Sequence, residues 1–148
     1  MEKNKMPGVG LGVMVLDIYG RVLLILRNSD ASLAKSDMHL EGTWTLPAGK
    51  VNYGESLIKA AKRKVKEEVN LQIEGIKVIS VADDINTYAH FLTVGVIADS
   101  YSGEINLGNT KEHVDYKFFD LDNMPSNLCE PSKKIIKNYR NNRIYEGE

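Results

Sequence analysis

The stretch that decides the fold spans residues 49–71 and reads GKVNYGESLIKAAKRKVKEEVNL. From Ser56 to Val69, apolar residues recur at spacings of three and four, which predicts an amphipathic helix. Ser56 is a favourable N-cap, and Asn70 tolerates the left-handed backbone conformation in which helices often end. One face of this helix is apolar and is expected to be buried: Leu57, Ile58, Ala61, Val65 and Val69.

Strand patterns surround the helix. Residues 8–16 alternate glycines with apolar residues, as expected of a strand whose glycines allow close approach to the backbone. A turn at 17–20 and a second apolar run at 21–27 together predict a β-hairpin. The remaining pattern predicts strands at 43–46, 73–81, 89–98 and 116–121, a loop at 28–42, a turn at 101–104, and a closing helix at 131–143 with Ile135, Ile136 and Tyr139 buried. Many strands with two helices favour an α+β fold with a mixed sheet over a regularly alternating parallel α/β fold.

Length and composition narrow the class of protein. The 148 residues predict one domain, and 43% hydrophobic residues are ordinary for a globular chain. A net charge of −1 argues against binding nucleic acid or anionic membranes through bulk charge. The single cysteine, Cys129, excludes an internal disulfide and a cysteine-based zinc site, and it suits a reducing compartment. Residues 8–16 imitate a signal peptide, but no cleavage site follows them and no apolar run approaches the ~18 residues of a membrane span. We therefore expect a cytoplasmic protein.

Three carboxylates, Glu55, Glu67 and Glu68, are candidates for the chemistry. Successive helix residues lie about 100° apart, so Glu68 borders the apolar face while Glu67 lies one turn from Arg63. Glu55 precedes the helix, where a negative charge faces the positive end of the helix dipole. Together with the flanking glycines, these carboxylates predict a pocket whose oxygen ligands suit Mg²⁺ or Mn²⁺. The alternative is an ordinary solvated helix face on which Arg63 and Glu67 form a weak surface pair.

Residues 49–71 resemble the Nudix box. Its pattern is Gly, five residues, Glu, seven residues, Arg-Glu, an aliphatic residue, any residue, Glu-Glu, any residue, Gly and an aliphatic residue. Seven of the nine fixed positions match: Gly49, Glu55, Arg63, Val65, Glu67, Glu68 and Leu71. Outside the box, residues 42–49 resemble the strand and turn that lead into it, and residues 111–119 resemble a later segment in which a Glu can reach the metals. Residues 8–13 resemble the first strand of the branch that acts on nucleoside triphosphates.

The resemblance implies a Nudix-type α/β/α sandwich with a mixed sheet, formed as a single domain over residues 1–148. It implies hydrolysis of a nucleoside diphosphate linked to another group, such as a nucleoside triphosphate, by attack of water on phosphorus. Mg²⁺ or Mn²⁺ would neutralise the developing charge. The implied catalytic residues are Glu55, Arg63, Glu67 and Glu68, with Glu55 orienting Arg63. The implied metal ligands are the Ala48 carbonyl, Glu67, Glu68 and Glu112, with His113 only the neighbour of Glu112. The implied partners are a small nucleotide and a second copy of the chain, with no nucleic acid and no membrane.

Lys64 departs from the family pattern, which has a metal-binding Glu at this position. A ligand is lost, and a cation lies one turn from Glu68. Two unit charges roughly 4 Å apart interact by about 4 kcal/mol at an effective dielectric of about 20, so a divalent ion should bind more weakly here. Either Lys64 contacts a substrate phosphate and replaces part of the metal's charge, or it points to solvent beside Lys59, Lys62 and Lys66.

Two milder departures are Ala48, where many members have a second glycine, and Asn70, which replaces a helix-ending glycine. The chain is thus expected to be an active pyrophosphohydrolase. The alternatives are a catalytically weakened module that binds or senses a nucleotide, and a structural or partner-binding protein on the same scaffold.

The choice of substrate is weakly encoded. Candidate residues for stacking on a base are Trp44, Tyr53, Tyr88 and Phe91, although aromatic residues in a sheet are more often part of the core. His90 lies in a predicted strand and points either into the cleft or to solvent, and His39 in the long loop is expected at the surface. We take Lys64, Trp44, Tyr53 and His90 as the candidate substrate-binding residues.

Overall fold

The computed structural model of the chain describes residues 5–146. Its strands are β1 (Gly8–Val15), β2 (Val22–Arg27), β3 (Trp44–Thr45), β4 (Ala48–Lys50), β5 (Gln72–Ile85), β6 (His90–Ser102) and β7 (His113–Phe119). Its helices are α1 (Leu57–Val69) and α2 (Glu130–Arg140). Among the described residues, we find no helix with the length and apolar character that a membrane crossing requires.

The strands form two sheets. A four-stranded sheet has the order β4-β1-β6-β5, in which β1 and β6 are parallel and the other pairs are antiparallel. A three-stranded antiparallel sheet has the order β3-β2-β7. The prediction of a mixed sheet in an α+β fold is therefore confirmed.

The predicted hairpin between β1 and β2 is wrong. One antiparallel bridge joins Leu16, directly after β1, to Val22 of β2, and the two strands then diverge into different sheets. Each strand carries a nearly continuous run of buried residues, as is typical of a strand in the middle of a covered sheet. Each is central in its own sheet and takes its partners from distant parts of the chain.

The two helices cover opposite faces of the four-stranded sheet. Helix α1 packs on the face of β1 that carries Leu11, Val13 and Val15, whereas α2 packs on the face that carries Gly12 and Met14. A Cβ atom on Gly12 would lie 2.7 Å from the Cδ1 atom of Ile135 in α2. The glycines of this strand thus allow the close approach that the sequence predicted, and the α/β/α sandwich is confirmed.

Helix α1 begins and ends as predicted. The Ser56 Oγ atom accepts the Lys59 N–H at 3.2 Å, and Asn70 ends the helix in the left-handed conformation with a φ of 63°. The buried residues of α1 include Ala60 in addition to Ala61, Val65 and Val69. Ile58, which the pattern places in the apolar face, is 52% exposed, whereas its neighbour Leu57 packs against the core.

Several element boundaries differ from the prediction. Strands β5 and β6 pair along almost their whole length, so each extends beyond its predicted range and only Gly103 of the predicted turn begins a bend. Strand β7 begins at His113 instead of residue 116, because it continues to pair with β2 past a bulge. The short strand β4 was missed, and α2 ends at Arg140 instead of residue 143. In β5, β6 and β7, pairing with the neighbouring strand of the sheet outweighs local propensity.

Candidate active site

A guanidinium clamp joins α1 to the loop before it. The Nε and Nη2 atoms of Arg63 donate to the two carboxylate oxygens of Glu55, at 2.7 and 2.9 Å. Nη2 also donates to the Lys50 carbonyl at 2.9 Å, and Nη1 donates to Glu67 Oε1 at 3.3 Å. The Arg63 hydrogen bonds, with one from the Asn52 N–H, lower the pKa of Glu55 to about 2. Arg63 and Glu55 together hold the glycine-containing loop against the helix.

Glu68 is a buried carboxylate at the end of the same helix. It is 8% exposed, and its Oε1 atom accepts the Ala48 N–H at 2.9 Å. Burial raises the pKa of Glu68 to about 7, and the nearby Lys64 charge and the Ala48 hydrogen bond act in the opposite direction. The contact with Ala48 fixes this carboxylate at the edge of the four-stranded sheet.

The ammonium group of Lys64 lies between two carboxylates. Its Nζ atom is 3.5 Å from Glu67 Oε2 and 3.7 Å from Glu68 Oε2, and its side chain is 19% exposed. The aliphatic part of the side chain crosses Gly49 so closely that a Cβ atom there would overlap Lys64 Cε. The alternative in which Lys64 points to solvent is therefore wrong, whereas the other helix lysines, Lys59, Lys62 and Lys66, are exposed.

The start of β7 brings two further groups to Glu68. Ligand atoms of Glu68, Glu112 and His113 all lie within 4.8 Å of one another. His113 is buried, and its Nε2 atom is 3.9 Å from Glu68 Oε2. Burial lowers the pKa of His113 to about 4. The expectation that His113 is only a neighbour of Glu112 is wrong, because the turn into β7 directs the imidazole inward.

Arg27 supports this cluster from β2. Its Nη1 atom lies 3.4 Å from Glu112 Oε1, and Nη2 donates to the carbonyls of Ala34 and Lys35 at 2.9 and 3.0 Å. Arg27 thus links Glu112 to the long loop beside the cleft. Neither Arg27 nor His113 was predicted from the sequence as a residue of the site. The available signals were an arginine ending an apolar strand and a histidine directly after Glu112.

These groups line a cleft of about 390 Å³, whose floor includes Lys64, Glu68, Glu112 and His113. It adjoins an outer hollow of about 910 Å³ that is lined by Lys50, Tyr88, Ala89, His90 and Phe91, among others. Lys50 and Phe91 line both spaces, so the two lie next to each other.

Only some of the candidate substrate-binding residues lie at the cleft or the outer hollow. His90 and Phe91 lie at the outer hollow, and Tyr88 stacks on the exposed His39 at a centroid distance of 3.9 Å. Trp44, a predicted substrate contact, packs edge-on against Phe119 in the core beside α2. Tyr53 is fully exposed on its loop and lines neither space. The structure therefore removes Trp44 and Tyr53 from the cleft wall.

The fold and this arrangement agree with one protein family. The family model described as NUDIX domain matches residues 6–139. The chain belongs to the Nudix family. Residues 49–71 are its Nudix box, with Lys64 at a position where the family pattern has a Glu.

Known Nudix proteins resemble the chain over most of its length. The ADP-ribose pyrophosphatase of Methanocaldococcus jannaschii is 28% identical over 127 residues, which cover 84% of this chain and 69% of the relative. The RNA pyrophosphohydrolase of Bartonella clarridgeiae is 29% identical over 161 aligned positions, covering 91% of each. The crystal structure of a MutT NUDIX hydrolase from Burkholderia pseudomallei superposes with a TM-score of 0.79 at 27% identity, covering 90% of this chain and 98% of that one.

Proposed function

We propose that this Nudix protein hydrolyses the pyrophosphate linkage of a small nucleotide, a nucleoside diphosphate joined to another group. The observation that carries the proposal is the convergence of Glu68, Glu112 and Lys64 on the floor of one cleft. The carboxylates can bind a divalent ion, and the neighbouring ammonium group can bind a phosphate, so the two ligands would lie next to each other. Relatives named ADP-ribose pyrophosphatase and RNA pyrophosphohydrolase act, by their names, on the same type of linkage.

The residues of the cleft fit a divalent cation. Ligands on an octahedral ion with bonds of about 2.1 Å lie about 3–4 Å apart, which small movements of Glu68 and Glu112 would achieve. These two carboxylates would hold the ion, with Glu67 and the Ala48 carbonyl completing the set that the family pattern implies. When bound, Mg²⁺ or Mn²⁺ would supply positive charge beside the reacting phosphate.

Lys64 is proposed to bind a phosphate of the substrate. Its distances to Glu67 and Glu68, 3.5 and 3.7 Å, exceed the roughly 2.8 Å of a strong charge-assisted hydrogen bond. The ammonium protons are therefore available to a closer acceptor, and a phosphate oxygen is the strongest one that a nucleotide brings. Lys64 would then supply positive charge beside the phosphate. In proteins that match the family pattern, a metal ion bound to the Glu at this position would supply that charge.

The nucleoside end of the substrate is proposed to lie in the outer hollow. Phe91 is half-buried at the junction of the two spaces, where its ring can stack on a base. His90, exposed in the same wall, can donate a hydrogen bond. Phe91 lines both the cleft and the outer hollow, and His90 directly precedes it in β6.

A second candidate function is nucleotide binding without turnover. The observation that favours it is the position of Lys64, whose charge opposes a divalent ion at the oxygen of Glu68 that it approaches. In this case the protein would bind or sense a nucleotide in an intact pocket.

A hydrolysis screen separates these proposals. The protein is incubated with ADP-ribose, nucleoside triphosphates and a 5′-triphosphorylated RNA oligonucleotide, with Mg²⁺ or Mn²⁺, and the released products are measured. We expect turnover of at least one small nucleotide and its loss in Glu68→Gln. Thermal stabilisation by a nucleotide without turnover would support the second function. Turnover of the RNA alone would contradict the choice of a small nucleotide.

A further inference from the structure

His113 occupies a position that the proposed hydrolysis does not explain. Its side chain is 4% exposed, and it begins β7 directly opposite Arg27 of β2. Within residues 5–146, its Nε2 atom has no hydrogen-bond partner. Leaving a buried polar group unpaired costs about 1–3 kcal/mol, so this nitrogen calls for a ligand.

The unpaired nitrogen is directed at carboxylates. His113 Nε2 lies 3.9 Å from Glu68 Oε2, which is too long for a hydrogen bond between them. The same separation falls within the roughly 3–4 Å expected between two ligands of one octahedral ion. With Glu112 completing the cluster within 4.8 Å, the three groups surround a single point from different elements, α1 and β7 with its preceding loop.

We infer that His113 is a nitrogen ligand in the metal site, and that this site prefers a later transition-metal ion such as Co²⁺ or Zn²⁺ to Mg²⁺. Mg²⁺ takes oxygen ligands, whereas imidazole favours the later first-row ions. The inference rests on the location of the proposed active site, but it does not require that the site turn over a nucleotide.

Lys64 explains why an additional ligand would be useful here. Its Nζ atom lies 3.7 Å from the same Glu68 oxygen that faces His113. Lys64 takes the place of one carboxylate of the box and adds a positive charge. The neutral imidazole nitrogen of His113, on β7, restores one ligand. The site would then hold one ion instead of a cluster of ions.

The first test observes the imidazole in the wild-type protein. The protein contains three histidines, which are labelled with ¹⁵N, and their ring nitrogen shifts are followed during addition of Zn²⁺ without nucleotide. We expect the His113 Nε2 chemical shift to change at a stoichiometric amount of Zn²⁺, before those of His39 and His90. When excess Mg²⁺ is then added to the Zn²⁺-loaded protein, the changed chemical shift should remain. The inference would be overturned by an unchanged His113 signal at saturating Zn²⁺, or by His39 or His90 shifting at lower Zn²⁺ concentrations than His113. Because no turnover is measured, the result does not depend on the proposed hydrolysis.

The second test compares metal affinities by competition titration. In His113→Gln, we expect Zn²⁺ affinity to fall at least tenfold while Mg²⁺ affinity changes less than twofold. The control His39→Gln removes an exposed histidine from the outer hollow and should leave both affinities unchanged. An equal loss of both metals in His113→Gln would show that the imidazole only supports the shape of the site. If that variant fails to fold, the titration of the wild-type protein still decides.

Discussion

At the scale of single residues, Lys64 is the side chain through which this Nudix box differs most from the family pattern. If its ammonium binds phosphate, Lys64→Ala should raise KM about tenfold or more, because a hydrogen bond to a charged group contributes about 1.5–3 kcal/mol. The variant should also need more metal to reach half of its maximal rate. Steady-state kinetics over a range of Mg²⁺ and Mn²⁺ concentrations measure both effects.

The matched control is Lys66→Ala, which removes an exposed lysine from the same helix and should change neither parameter. A Lys64→Ala enzyme that binds metal better and loses nothing would contradict phosphate binding. It would instead show that the lysine only repels the ion.

The residues of the site differ in how well sequence predicts them. Spacing along one helix predicted Glu68 at the edge of the apolar face and Arg63 one turn from Glu67, because both relations depend on local geometry. The contact between Arg63 and Glu55 was implied only by the family resemblance. The burial of His113 depends on the register between β7 and β2, which are far apart in the chain. Arg27 likewise finds Glu112 only across that pairing.

At the scale of elements, the clamp between Arg63 and Glu55 fixes the loop at the start of α1. Because the folded-state pKa of Glu55 is about 2 and its ordinary value is 4.5, the charged carboxylate stabilises the fold above about pH 4.5. This contribution should be lost as the pH falls from about 4.5 to about 2. Glu55→Gln should therefore be less stable than the wild type at pH 7, and the difference should shrink below pH 4.5.

The measurement is the free energy of unfolding in urea at a series of pH values. Glu104→Gln, a change at an exposed residue outside the clamp, serves as the control and should show a smaller difference at pH 7. A difference between Glu55→Gln and the wild type that stays constant down to pH 3 would contradict the linkage.

Sequence also predicts some elements better than others. The limits of α1 follow from local signals, since Ser56 and Asn70 act at its two ends as their residue types suggest. Local signals do not decide whether β1 and β2 pair with each other. A short turn between two apolar runs is compatible with a hairpin and with strands that separate into two sheets. Only the partners of each strand, β6 and β7, decide between these arrangements.

At the scale of the whole molecule, α2 fixes one face of the sandwich through Ile135. This side chain is 1% exposed and lies against both Gly12 and Gly95 of neighbouring strands. Ile135→Ala should destabilise the protein by about 2–5 kcal/mol, because it leaves a cavity in a packed core. Urea denaturation measures the loss, and Ile85→Ala, at a 65% exposed position, should cost much less. Equal effects of the two changes would contradict the packing role of α2.

The buried carboxylate of Glu68, supported by the clamp, is proposed as the centre of a pyrophosphohydrolase site. The most direct test is kcat/KM for the best nucleotide of the screen in the wild type, Glu68→Gln and Glu55→Gln, each checked for folding. We expect a loss of about 100-fold or more in Glu68→Gln, since removal of a metal ligand weakens both metal binding and turnover. We expect a smaller loss in Glu55→Gln, whose side chain acts through Arg63. Equal kcat/KM in the wild type and Glu68→Gln would contradict the proposed role of Glu68.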